Sequence, residues 1–183
     1  PPALLAIISS CAAGLIGDDI EAIARGSGLS CPIAVLDSSG LAGSFADGWD
    51  KAACAVLSAF LPEQRVGQAN AVNLIGMTSA YYNGENDAHE LMRLLALAGY
   101  RVNAVLGCDM SAADLSGLTQ AALNIVVHDE LGGGVARLLA ETCGMSCIAP
   151  LPPYGRAGTR KWLAEIGRVL PAPRADAAEE EIT

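Results

Sequence analysis

Aromatic side chains are scarce in this chain, 4% of 183 residues, although 52% of the residues are hydrophobic. Large rings are therefore not what fills its core. The abundant Ala and Gly suit helices packed closely on a parallel sheet better than a β-sandwich. Basic residues are also few: 11 Lys and Arg face 20 Asp and Glu, and the net charge is -9. Four of the carboxylates stand in the closing ADAAEEEIT, which contains no base. That balance weighs against a nucleic-acid partner. No apolar run approaches the roughly 20 residues a membrane span needs. The opening PPALLAIISSC also lacks the basic residues that begin a secretory signal. A cytoplasmic protein with no membrane partner is expected.

Several catalytic signatures are missing as well. There is no G-x-G-x-x-G, no G-K-S/T, no G-x-S-x-G elbow and no H-E-x-x-H. Only two histidines occur. His89 falls on the polar side of a helical pattern and His128 ends an apolar run, so a solvated face and a strand end account for them. Six cysteines are scattered at 11, 31, 54, 108, 143 and 147, without the dense spacing of a disulfide scaffold. Cys143 and Cys147 form a C-x3-C pair that no second pair completes into a zinc site.

What is present is a rhythm. ALLAIISS reads as a buried strand, DDIEAIARGSG as a helix, CPIAVLDSS as a strand, GLAGSFADG as a loop and WDKAACAVLSAFL as a helix. PEQRVGQAN carries Pro and Gly and reads as a linker. Strands are then predicted at Val72–Met77, RVNAVLG, ALNIVVH and MSCIAPL. The predicted helices are DAHELMRLLALAG, a short one capped by Ser111, GGGVARLLAETCG and GRAGTRKWLAEIGRVL. Strand and helix alternate about every 25 residues, the pattern of βαβ crossovers. The fold class is α/β, with Rossmann-like parallel sheets and helices on both faces.

Two stretches offer chemistry. GGGV, Gly132 to Val135, sits between a predicted strand and helix, where a phosphate could rest, but lacks the full fingerprint. SSCAAGLIGDDIEAIA puts Cys11 just past a strand, at the sheet edge where open α/β proteins bind ligands, and ahead of a helix start. Amide groups there favour a thiolate, the usual ligand of iron–sulfur clusters. A small buried residue at a turn is the competing reading. Asp18 and Asp19 read as helix caps rather than catalytic acids.

SSCAAGLIGDDIEAIA resembles the cysteine segment of the nitrogenase component 1 family, in which a Cys is followed by a short spacer and I-G-D-D. SSGLAGSFADGWDKAACAVL is similar to that family's loop-and-helix segment, through Gly40, Gly43-Ser44 and Gly48. The similarity continues through VNLIGM, ELMRLLALAGYRVNAVLGCDMSAADL, AALNIVV and GVARLLAETCGMSCIAPLPPYG. The family includes dinitrogen-reducing subunits, cofactor-assembly scaffolds and light-independent reductases of chlorophyll synthesis. The resemblance implies a middle portion of a three-lobed chain: 1–66 closing a first Rossmann-like lobe, 67–155 a complete second lobe, and 156–183 a trailing helix and acidic tail. It further implies an oxidoreductase passing low-potential electrons through an iron–sulfur cluster, a homologous partner subunit, and an ATP-dependent iron–sulfur reductase as electron donor. Cys11 matches a cluster ligand, with Gly14 and Gly17 in the cofactor-binding turn behind it.

The family's other cluster cysteines lie upstream of that motif, so the stretch by itself is expected to hold no cofactor. Where catalytic α-type subunits carry their metal-cofactor cysteine, the resemblance places Ala136, and Cys143 is no substitute. A β-type, scaffold-like or other reductase relative is implied. The alternatives are a cluster-assembly scaffold of the same family and a small-molecule-binding α/β module with no redox role.

Overall fold

The computed structural model describes residues 2–37, 43–61, 67–174 and 180. It holds two parallel sheets. The first pairs β1 (Leu5–Ser9) with β2 (Ile33–Asp37) in continuous register, Leu5 opposite Ile33 and Ser9 opposite Asp37. Between these strands run two short helices, α1 (Cys11–Ile16) and α2 (Ile20–Gly26), and after them comes α3 (Phe45–Ser58).

The second sheet contains β3 (Gln68–Ile75), β4 (Arg101–Val105), β5 (Ala121–Val126) and β6 (Ser146–Ile148), in the spatial order β4-β3-β5-β6. Helices α4 (Gly84–Leu97), α5 (Ala112–Gly117) and α6 (Asp129–Cys143) connect them, and α7 (Gly155–Val169) follows. All pairings are parallel, so every connection is a crossover and both faces are covered.

Alternation along the central strands shows that double burial. Val72 and Leu74 of β3, with Leu123 and Ile125 of β5, join α4 and α7 in one core that includes Leu95, Trp162 and Ile166. Ile75 and Val126 point the other way, into a core with Leu57 of α3 and Val135 and Leu139 of α6. Burying such a side chain contributes about 1.5–3 kcal/mol. The α/β reading with helices on both faces therefore holds.

Three boundaries differ from the sequence reading. The loop expected over 40–48 gives way to α3 at Phe45, because Ser44 and Asp47 form a reciprocal capping box: the Ser44 N–H donates to Asp47 Oδ2 (2.7 Å) and the Asp47 N–H to Ser44 Oγ (3.3 Å). Residues 40–42 of that loop, and 38–39 at the end of the preceding predicted strand, lie outside the described residues, as does most of the expected linker. Strand β3 starts at Gln68, inside that linker. Helix α6 starts at Asp129 rather than at the glycines, which places Gly132, Gly133 and Gly134 inside the helix.

Candidate functional site

Cys11 is not a turn residue between a strand and a distant helix, as its glycine-rich surroundings suggested. It opens a helix. Ser10 caps α1, accepting from the Ala13 N–H at 3.3 Å, and Gly17 ends it in the left-handed conformation (φ 76°), with its N–H on the Ala13 carbonyl. A side chain at Gly17 would be strained there, which is the physical reason for glycine. Gly14 stands within α1, where an added Cβ would meet nothing within 4 Å. The aspartates part company: Asp19 caps α2, accepting from the Ala22 N–H at 2.9 Å, whereas Asp18 gives its backbone N–H to Ala13.

This puts the thiol at the carboxyl end of β1, on the first residue of a helix that buries none of its own side chains. Leu15 and Ile16 of α1 are 82% and 73% exposed. Of the six cysteines, Cys11 alone is exposed. Cys31 is half-buried, and Cys54, Cys108, Cys143 and Cys147 pack in or against the two cores. Burial pushes the Cys54 thiol up to about 11, with the Asp50 carboxylate adding to the effect, and burial likewise raises Cys108, Cys143 and Cys147. In those four, burial disfavours the thiolate. Among the described residues no three or more His, Cys, Asp or Glu gather to hold a metal ion.

The glycine run is occupied by neighbours, not by a phosphate. The Gly134 and Val135 N–H groups donate to the Asp50 carboxylate at 2.8 and 3.2 Å, joining α6 to α3. A Cβ at Gly134 would lie 2.2 Å from Asp50 Oδ2, and one at Gly132 would lie 2.8 Å from the Gly76 backbone. Helix α6 thus needs glycine to reach both β3 and α3, and the Asp50 carboxylate already accepts from two amides of the glycine stretch.

Cys147 also has a packing role. Its thiol donates to the Ala136 carbonyl at 3.4 Å and accepts from Asn124 Nδ2 at 3.5 Å. Asn124 belongs to a ladder across three strands. Asn103 Nδ2 donates to Asn73 Oδ1 (2.9 Å), and Asn73 Nδ2 to Asn124 Oδ1 (2.8 Å). The same amides hold the carbonyls of Gly117 and Leu118 at the end of α5. Buried polar groups so fully paired fix the register of the sheet. A signal was available in the sequence, since VNLI, VNAV and LNIV each set one Asn in an apolar strand.

At the carboxyl edge of the four-stranded sheet, His128 follows β5 and lines a cleft with α4 and the connection into α7. Its ring meets Tyr81 edge-on, with centroids 6.0 Å apart, and Tyr81 in turn lies 6.0 Å from Phe45 of α3. The reading of His128 as a strand-end residue holds; its place in a cleft was not evident from sequence.

Parallel sheets, crossover helices on both faces and polar residues at the carboxyl edge define a doubly wound α/β protein. A model of the family described as nitrogenase component 1 type oxidoreductase matches residues 1–183, and the chain belongs to that family. It is 29% identical over 174 residues to a subunit of the light-independent protochlorophyllide reductase of Prosthecochloris aestuarii, covering 90% of this chain and 31% of that protein. With the corresponding protein of Synechococcus it shares 36% identity over 110 residues, 60% of this chain and 21% of the other. A solved structure of nitrogenase Cp1 superposes with a TM-score of 0.80 at 25% identity, covering 99% of this chain and 35% of that one. The chain spans about a third of the length of the Prosthecochloris relative and of the solved nitrogenase chain.

Proposed function

We propose that this chain is part of an oxidoreductase subunit in which Cys11 supplies one thiolate to an iron–sulfur cluster shared with a homologous partner subunit. The observation that carries this reading is the setting of Cys11: one exposed thiol among six cysteines, on the opening residue of a capped helix at the carboxyl end of β1. A single thiol at a helix start fits one position of such a ligand set. It does not complete one, since among the described residues no cluster of three or more candidate ligands forms. The remaining ligands come from elsewhere in the longer protein and its partner.

In this reading Cys11 holds iron, while Ser10, Gly14 and Gly17 belong to the turn and short helix that present it. A bound iron–sulfur cluster supplies one-electron transfer at low potential, fed by an ATP-dependent iron–sulfur reductase. Residues 1–66 close a first Rossmann-like lobe and 67–155 form a second, on whose core α7 packs through Trp162 and Ile166 before the chain leads onward. The exposed apolar residues of α1 suit burial against a partner chain. Reduction of a substrate, as the names of the protochlorophyllide reductase relatives imply for them, belongs to the assembled protein, which acts in the cytoplasm. No helix among the described residues is long and apolar enough to cross a membrane.

Anaerobic reconstitution of the full-length protein with its homologous partner tests the ligand role. Iron content and cluster absorbance should fall in Cys11→Ser and stay unchanged in Cys54→Ser. Equal iron in both variants would remove Cys11 from the ligand set.

A further inference from the structure

We propose that the outer edge of β4 docks an extended peptide segment carrying lysine or arginine, which adds a strand to the four-stranded sheet. The edge is open because of topology. In the order β4-β3-β5-β6, β4 pairs with β3, and among the described residues no strand lies on its other side. Its register against β3 shifts once, between Val72 and Asn73, and resumes with Asn73 opposite Ala104 and Leu74 opposite Val105. Natural sheet edges are commonly defended by charge on the edge strand. Here Val102, Asn103, Ala104 and Val105 carry none, and Arg101 donates from its guanidinium to Gln68 Oε1 of β3 at 2.7 Å. A peptide laid along such an edge gains main-chain hydrogen bonds.

The walls of the edge choose the occupant. The uncharged stretch of β4, 102–105, borders a groove of about 490 Å³. Helix α4 supplies one wall through Glu85, Ala88, His89 and Met92, whose i, i+3, i+4, i+7 spacing sets them on one helical face. Ala88, Ala104, Val105 and Cys108 are buried at its base, and the thioether of Met92 is exposed beside them, a side chain that adapts to varied partners. Charge in the groove is one-sided. Glu85, Asp109 and Asp114 line it, and no Lys or Arg does. Asp114 stays ionised, because the Ser111 hydroxyl and N–H donate to its Oδ2 at 2.6 and 2.8 Å and hold its carboxyl below the usual carboxylate range. Basic side chains on an extended peptide meet these carboxylates while the peptide backbone follows β4. None of these residues belongs to β1 or α1, so the inference stands apart from the cluster reading.

Fluorescence anisotropy on the full-length protein, with a fluorescein-labelled hexapeptide of alternating lysine and valine, provides the test. The peptide should saturate one site per chain, and its glutamate–valine counterpart should bind about ten-fold more weakly or worse. N-methylation at alternate residues should weaken the lysine peptide about ten-fold in one of its two phases, the one that removes the amides facing β4. Charge attraction alone would not distinguish the phases. Glu85→Gln combined with Asp109→Asn, both at exposed positions, should weaken binding about five-fold. Asparagine keeps the left-handed backbone of position 109 (φ 46°), so the variant folds as the parent does. Four results would overturn the assignment: no saturable binding, as when a second copy or another part of the longer protein already covers the edge; equal affinity for the two peptides; indifference to N-methylation in both phases; or indifference to the double variant.

Discussion

Between residues 67 and 170 the apolar side chains close on both faces of a sheet: Leu74, Ile125, Val135 and Ile166 are each 0% exposed. Between residues 2 and 37 a second parallel sheet carries Ile8 at 66%, Leu15 at 82% and Ile23 at 66% exposed. Both regions are βα units with well-formed helices, so the contrast is not one of secondary structure. The larger region is held by tertiary burial. The helices of the smaller are held locally, by Ser10, Asp19 and the left-handed Gly17, devices that contribute about 1 kcal/mol each. Exposed apolar side chains in such number suit an interaction surface.

The contrast breaks most visibly at Trp162, which is 1% exposed in the larger core. Trp162→Ala should cost about 3–5 kcal/mol in chemical denaturation, whereas Leu15→Ala should stay within about 0.5 kcal/mol. Comparable losses from the two would mean that α1 is packed as firmly as the core. The joint between α3 and α6 comes next. Asp50→Ala removes a carboxylate from two amides of α6, and about 1.5–3 kcal/mol should go with it, read as an earlier denaturation midpoint.

Gly17→Ala sharpens the local side of the comparison. Forcing a side chain into φ 76° should cost about 1–2 kcal/mol, confined to residues 11–26. Hydrogen exchange should quicken there and remain slow in β3 and β5. The smallest effect is one of pH. The Cys54 thiol keeps its proton in the fold up to about 11, against 9.0 ordinarily. Its contribution is therefore complete below pH 9 and is lost as pH rises toward 11. Urea midpoints should fall over that window, and less so in Cys54→Ala.

How much of this was legible in the sequence depended on whether the cause was local. The central strands of the larger sheet, β3 and β5, are buried on both faces and read directly as apolar runs. The Ser44–Asp47 box was equally present in the letters, but surrounding glycines masked it as a loop. The glycine run of α6 was not legible, because its reasons lie elsewhere in the chain: Asp50 and Gly76 come close enough to leave no room for a Cβ. Cys11 was placed correctly at the strand's carboxyl end and misjudged only in that it starts the helix itself. The cleft beside His128 depends on α4 and the β6–α7 connection meeting across the sheet edge, a juxtaposition that no linear motif carries.

The role of Cys11 is tested most directly by its own reactivity in two states. In the 183-residue chain, iodoacetamide followed by mass spectrometry should modify Cys11 well ahead of the packed cysteines at 54, 108, 143 and 147. In the anaerobic, iron-loaded complex of the full-length protein with its partner, Cys11 should be protected, and removal of iron by a chelator under conditions that keep the complex assembled should restore its labelling. Labelling of Cys11 in the loaded complex at the rate seen in the 183-residue chain would contradict its assignment as a cluster ligand.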